Sequence, residues 1–371
     1  MYALARAGLF KVDPERAHRL TLGSLARTAA VARKVYGDRV PDAPVEVMGL
    51  RLANPIGLAA GMDKDGRCID GLAALGFGFL ELGTVTPVAQ PGNDKPRMFR
   101  LVEQRALINR LGFNNGGVEA LVRRIRAARY GGVLGINIGK NAKTPPEHAV
   151  DDYLACLRAV HEVASYITVN VSSPNTRGLR ELQGAEHLDT LLAALTEERD
   201  RLADTHGRRV PLAVKIAPDL DDDQLDAIAE RLLHHRIDAV IATNTTIARH
   251  KLPVRWWFQA GGLSGVPLRQ RSTEIIVGLR RRLGDEVPII GVGGIDSPQD
   301  AIQKLEAGAN ALQIYTGLIY HGPALIRECA IAAAHWQARQ RVIMQASIVR
   351  RDRTQDGAGV RAAADEQTPP Q

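Results

Sequence analysis

From residue 54 onward the chain alternates short, largely apolar runs with longer stretches in which apolar residues recur every three or four positions. The runs are Ile56 to Ala60, Phe79 to Val85, Val133 to Gly139, Ile167 to Ser172, Leu212 to Ala217, Ala239 to Thr243, Pro288 to Val292 and Ala311 to Tyr315. Each is too brief for a buried helix, so each predicts a strand covered on both faces. The amphipathic stretches Val118 to Arg129, Ala149 to Val163, Leu188 to Ala203, Asp222 to His234, Ser272 to Leu283 and Pro298 to Ala307 predict helices between them. Eight such units predict closure into a parallel barrel, the (β/α)8 or TIM-barrel member of the α/β class, over residues 45–344. An open doubly wound sheet is expected to begin on G-x-G-x-x-G, which Gly57-Leu58-Ala59-Ala60-Gly61 does not match. Two intervals, Val85 to Val133 and Thr243 to Pro288, are long enough for loops over the barrel mouth.

Residues 1–40 predict a small N-terminal helical cap. Asp13 can cap a helix whose first residue is Pro14. His18, Leu22, Leu25, Ala29, Ala32 and Tyr36 then fall on one side, with Arg16, Gly23, Arg27 and Lys34 on the other. That pattern is an amphipathic helix with a basic face. At the other end, residues 345–371 lose apolar periodicity and finish in Thr-Pro-Pro-Gln, which predicts a disordered tail.

Composition narrows the class. With 45% hydrophobic and 24% charged residues the chain is globular rather than disordered or fibrous. Its net charge of +7 raises nucleic acid as a partner. Residues 1–40, however, hold eight Lys or Arg against three acids, so most of the excess lies on the cap. Aromatics are only 4%, and no strand interleaves basic with aromatic residues, so no nucleic-acid partner is expected. Cys68, Cys156 and Cys329 are odd in number, far apart and outside any CxxC or Cys/His cluster. Neither disulfides nor a metal site is expected, and a reducing compartment fits. No run approaches the ~18 uninterrupted apolar residues of a spanning helix. Arg6 and Lys11 also break the candidate signal-peptide core, which points to the cytoplasm.

In such barrels the chemistry lies at the carboxyl ends of the strands. Here those ends carry Gly61-Met62-Asp63-Lys64, Gly83-Thr84, Asn137, Asn170-Val171-Ser172-Ser173, Lys215, Thr243-Asn244-Thr245, Gly293-Gly294 and Tyr315-Thr316-Gly317. Gly293 and Gly294 let backbone N–H groups approach an anion, as barrels often do after their last two strands. Lys215 is a cation among apolar neighbours and is costly unless something negative meets it. It can form a Schiff base, face the N1/O2 edge of a flavin, or pair with an acid inside the barrel. A charge pair near 4 Å contributes about 4 kcal/mol at an effective dielectric of 20, enough to tune a flavin. Pro174 biases Ser173 toward an extended backbone, so Asn170, Ser173 and Asn175 present a hydroxyl and two amides to the mouth. Those amides, with Asn109 to Gly116 and Asn244, suit a planar heterocycle with C=O and N–H edges.

Six ordered motifs, Leu-Ala-Ala-Gly-Met-Asp-Lys-Asp-Gly, Asn-Arg-Leu-Gly-Phe-Asn-Asn, Asn-Val-Ser-Ser-Pro-Asn-Thr, Gly-Gly-Leu-Ser-Gly, Gly-Val-Gly-Gly-Ile and Gln-Ile-Tyr-Thr-Gly, closely resemble the dihydroorotate dehydrogenase family from about Asp13 to His335. The resemblance implies oxidation of dihydroorotate to orotate in pyrimidine biosynthesis, with FMN as cofactor. It implies FMN contacts at Ala60, Gly61, Met62, Asp63, Lys64, Thr84, Asn137, Asn170, Lys215, Thr243, Gly265, Gly294, Tyr315 and Thr316, the last three at the phosphate. Substrate would be held by Lys64, Asn109, Arg110, Leu111, Gly112, Phe113, Asn170, Asn175, Asn244 and Thr245. Soluble relatives carry cysteine as the base at position 173, whereas the quinone-linked branch carries serine. Ser173 is thus the implied base, with Thr176 and Phe113 shaping the proton's exit.

Asp13 to His18 resembles the cap that encloses a quinone tunnel in that branch, which implies His18 and Arg100 near the quinone head. A basic cap face can meet anionic lipid, giving peripheral attachment on the cytoplasmic side of the cell membrane. A monomer is expected rather than an obligate oligomer. Two rival readings remain at this point: a phosphate-binding aldolase using Lys215, and a non-enzymatic barrel carrying a membrane- or nucleic-acid-binding helix.

Overall fold

The computed structural model describes residues 2–365, with side chains to residue 345. The chain opens on helices α1 (Tyr2–Leu9), α2 (Pro14–Arg27) and α3 (Ala29–Val35). A hairpin follows, β1 (Val45–Val47) and β2 (Leu50–Leu52). The remaining strands are β3 (Ile56–Leu58), β4 (Phe79–Val85), β5 (Met98–Leu101), β6 (Ala106–Asn109), β7 (Val133–Ile138), β8 (Tyr166–Asn170), β9 (Leu212–Ile216), β10 (Ala239–Ala242), β11 (Gly262–Gly265), β12 (Ile289–Val292) and β13 (Ala311–Ile314).

Strands β3, β4, β7, β8, β9, β10, β12 and β13 close a parallel barrel in that order, with β13 returning to β3. These are the eight apolar runs of the sequence, shifted by at most two residues at an end. Their outward side chains pack against the helices, while Phe79, Tyr166, Ala213, Ile241, Ile290 and Ala311 fill the interior with Val47 and Leu52 of the hairpin. The barrel bottom is thereby plugged, which leaves the carboxyl ends of the strands as the open end. Interior rings need small neighbours: a Cβ on Gly135 would stand 2.1 Å from the Tyr166 ring.

The two long intervals do lie at the mouth, and they pair with each other. The first supplies β5 and β6, the second β11, and together they form an antiparallel sheet in which Gly262 faces Asn109 and Gly265 faces Ala106.

The cap departs from the sequence expectation in one respect. The single helix expected through Tyr36 is broken at Thr28 (φ −111°, ψ 21°), although Leu22, Leu25, Ala29, Ala32 and Tyr36 all still pack on the barrel core. Asp13 caps α2 as expected, accepting the Arg16 N–H at 2.9 Å with Pro14 at the first position. The cap is tied down by Arg97, which donates to both oxygens of Glu15 at 2.8 and 3.1 Å, and by Tyr2 Oη donating to the Ile319 carbonyl at 2.7 Å.

The last helix runs Ala324–Asp365, so the stretch from residue 345 that was expected to be disordered continues as helix; residues 366–371 lie outside the described residues. Its alanines and arginines are good helix formers, and propensity does not require apolar periodicity.

Candidate active site

A cleft of about 960 Å³ opens at the barrel mouth. All the residues expected at cofactor, substrate and proton transfer line it except Met62, Asp63, Arg110, Asn137 and Thr176. Met62 lines a neighbouring apolar cavity instead. The Asp63 carboxylate is turned away, accepting the backbone N–H groups of Arg67 (2.9 Å) and Cys68 (2.6 Å), so it braces its own loop. Arg110 reaches outward to the Pro96 (2.8 Å) and Ala260 (3.3 Å) carbonyls and stacks over Phe99. Asn137 stands one layer beneath the cleft. Thr176 is buried, and its hydroxyl has no partner among the described residues.

The floor of the cleft is a chain of amides anchored on Glu81, a fully buried acid inside the barrel. Its carboxylate accepts from Asn137 Nδ2 (2.8 Å), Tyr166 Oη (2.9 Å) and Gln313 Nε2 (2.6 Å). Asn137 Oδ1 in turn accepts from Thr84 Oγ1 (2.5 Å) and Asn170 Nδ2 (3.1 Å). Asn170 Oδ1 accepts from Ser172 Oγ (3.1 Å) and Asn244 Nδ2 (3.3 Å). Sequence reasoning missed Glu81, Tyr166 and Gln313. The available signal was an acid and an amide inside apolar strand runs, Phe-Leu-Glu-Leu and Ala-Leu-Gln-Ile, where a polar side chain must find buried partners.

Lys215, on β9, is buried and lines the cleft, with no hydrogen-bond or ion-pair partner among the described residues. Burial pulls its ammonium below the ordinary lysine range, and the Glu81 charge opposes that pull. The reading in which Lys215 simply pairs with an internal acid therefore fails: Glu81 is engaged by three other donors. Lys64, which donates to the Gly61 carbonyl at 3.3 Å, is lowered to about 8 by burial and then by the Arg97 charge.

The far end of the cleft is an anion loop. Gly293 and Gly294 have φ of +118° and +74°, and a Cβ on Gly294 would stand 2.4 Å from the Arg269 backbone. Their carbonyls are held from behind by Ser272 Oγ (3.1 Å) and Arg269 Nε (3.2 Å). Their N–H groups have no acceptor among the described residues. Ser264 Oγ and Thr316 Oγ1 bond to each other (2.8 Å) beside this loop; Ser264 was not foreseen.

A second cavity, about 1800 Å³ and mostly apolar, lies between the cap and the barrel. His18 and Arg100 both line it, as expected. His18 is lowered to about 4 by burial first and by the Lys64 charge second, so its imidazole is neutral near pH 7. Arg100 donates to the Phe10 carbonyl at 2.7 Å and to that of Val12. Tyr315 lines both cavities and is the wall between them.

Among the described residues no helix is long and apolar enough to cross a membrane. The three cysteines are buried and free. One group with metal-ligating atoms, Asp189, His234 and His235, is found among the described residues, on the outer helices and outside the cleft.

Functional groups gathered at the strand ends over a bottom filled with side chains place the chain among (β/α)8-barrel enzymes. A family model described as dihydroorotate dehydrogenase matches residues 43–331, and the chain belongs to that family. A protein of Burkholderia multivorans named dihydroorotate dehydrogenase (quinone) is 60% identical over 342 residues, 91% of this chain and 99% of that one. Its namesake in Paraburkholderia xenovorans is 59% identical over 336 residues, covering 90% and 98%. Among solved structures, Eimeria tenella DHODH in complex with ferulenol superposes with a TM-score of 0.79 at 36% identity, covering 91% of this chain and 93% of that one.

Proposed function

We propose that the cleft binds FMN and dihydroorotate, and that the chain oxidises dihydroorotate to orotate in pyrimidine biosynthesis with a quinone as electron acceptor. The observation that carries this reading is Lys215: a buried ammonium without a partner, facing a slot whose far end offers the two free N–H groups of Gly293 and Gly294. A flat ring with an anionic edge and a phosphate tail meets both needs, and FMN is such a molecule. When bound, FMN would take up the hydride released by the substrate.

The protein's own residues divide the remaining work. Thr84, Asn170 and Thr243 hold the ring edge, with Asn137 fixing the first two from beneath. Asn109, Asn175 and Asn244 read the C=O and N–H edges of the pyrimidine, and Asn175 Nδ2 already donates to Asn109 Oδ1 at 3.3 Å. Lys64 meets the substrate carboxylate. Ser173 Oγ, which accepts the Asn175 N–H at 3.3 Å, takes the proton from substrate C5 as the hydride leaves C6. A serine hydroxyl is a weak base and needs an exit for its own proton. The unpartnered Thr176 hydroxyl three residues on supplies the next station, and Phe113 keeps bulk water off.

Quinone enters the apolar cavity under the cap, where Tyr315 separates it from the cofactor cleft, and leaves as quinol after taking two electrons and two protons. Exposed Arg16, Arg19 and Arg27 on α2, beside exposed Leu4 and Leu20, suit peripheral binding to anionic lipid on the cytoplasmic face. The chain acts as a monomer in this reading. The test is the purified protein itself: bound FMN near one per chain, and orotate formation from dihydroorotate that requires a quinone. A colourless protein that takes up no added FMN overturns it.

A further inference from the structure

The segment between β10 and β11 carries an exposed feature with no part in the site. Phe258 is 92% exposed, Val254 63%, Ile247 56% and Trp257 48%. Single exposed apolar residues are ordinary, but four on one short loop, including two adjacent aromatics, form a patch. The loop is braced, so the exposure is built in. Arg249 donates to the Gln259 (3.0 Å) and Gly261 (2.5 Å) carbonyls across its neck. Trp256 packs inward on the cluster that holds Leu252 and Leu263, and Trp257 Nε1 donates to the Leu252 carbonyl at 2.8 Å.

The charged residues of the loop itself are all basic. Arg249, His250, Lys251 and Arg255 lie in it, and no Asp or Glu occurs between Asp238 and Glu274. Aromatic rings flanked by Lys and Arg are the composition that settles at the headgroup level of a bilayer. The patch also borders the cap. Arg255 pairs with Glu103 at 2.9 Å, just past the end of β5, whose Arg100 holds the Phe10 carbonyl between α1 and α2. Glu103 stands in the turn that follows β5, three residues along the chain from Arg100, and exposed Val102 lies between them.

We propose that the 247–258 loop is a second lipid contact, which seats its aromatic tip in an anionic bilayer surface beside the cap. This rests on the peripheral-membrane reading above, and the experiment separates the two. The FMN-loaded full chain is floated with neutral phosphatidylcholine vesicles and with vesicles containing phosphatidylglycerol, as wild type, Phe258→Ser, Phe258→Trp and Lys251→Gln/Arg255→Gln. Phe258→Ser is expected to lower the partition coefficient roughly tenfold, the scale of one buried phenylalanine, while flavin content and reduction of a water-soluble quinone stay unchanged. Phe258→Trp should restore binding, and the charge variant should weaken it only on anionic vesicles. Wild type that floats while Phe258→Ser floats equally overturns the loop contact and leaves the membrane reading standing. Wild type that never floats overturns both. Loss of self-association in Phe258→Ser with flotation unchanged would mark the patch as a contact between copies, and RNA binding lost with it would mark a nucleic-acid surface; either contradicts the proposal.

Discussion

Asn137 donates its amide N–H to the Glu81 carboxylate at 2.8 Å, and that bond decides which way the amide faces. With the nitrogen held down, Oδ1 points up to receive Thr84 and Asn170, and Asn170 can then receive Ser172 and Asn244. A buried acid in the barrel interior thus sets donors and acceptors in the floor of the cleft.

Glu81→Gln replaces an acceptor of three hydrogen bonds by a group that must turn an NH2 toward a donor. Breaking a buried, hydrogen-bonded charge costs about 3 kcal/mol. The variant should unfold at lower denaturant and lose FMN more readily than wild type. A purified Glu81→Gln protein with full flavin content and wild-type stability would contradict this account of the floor.

Ser173→Ala removes the proposed proton acceptor without touching the anion loop or Lys215. General-base removal costs about 10²- to 10⁴-fold, and the loss should fall on kcat and on the anaerobic rate of flavin reduction, with KM for dihydroorotate little changed. Stopped-flow reduction measures this directly, and an unaltered rate would exclude Ser173.

Lys64 gives a pH dependence. Its ammonium is lowered to about 8 mainly by burial, so the cation is present below that pH and is lost as pH rises through it. An anionic substrate needs the cation, so kcat/KM for dihydroorotate should fall above about pH 8 in the free enzyme. Lys64→Gln should be low throughout and flat over the same range.

The cap should loosen in mild acid. His18 is lowered from 6.5 to about 4 by burial, so the folded state favours the neutral ring. That contribution is complete above pH 6.5 and is lost progressively as pH falls toward 4. Quinone reduction should decline reversibly over this window more steeply than flavin reduction by dihydroorotate, and His18→Gln should remove the difference. Arg100→Ala, which frees the Phe10 and Val12 carbonyls, should impair the same half-reaction at every pH.

The strand runs were legible because barrel strands are covered on both faces and therefore read as short apolar blocks. The residues that end them, Lys215 and Asn170 among them, were legible because a polar group there has no structural need. Glu81 and Gln313 were not, since their partners come from strands far apart in the chain and only barrel closure brings them together. The side-chain directions of Arg110 and Asp63 were not legible for a related reason: motif position says that a residue is near the mouth, whereas the direction its side chain takes depends on loop carbonyls and N–H groups that no spacing reveals. The Thr28 break was hidden because the apolar face of the cap continues across it. The exposed Trp257-Phe258 pair was visible in the sequence, but only the braced loop shows that it faces outward.

The central claim is tested most directly by two anaerobic half-reactions on one purified sample. Dihydroorotate should bleach the yellow flavin with formation of orotate, and a ubiquinone analogue, but neither fumarate nor NAD+, should restore the colour. Flavin that stays yellow with dihydroorotate, or that is reoxidised equally well by fumarate, would contradict the account.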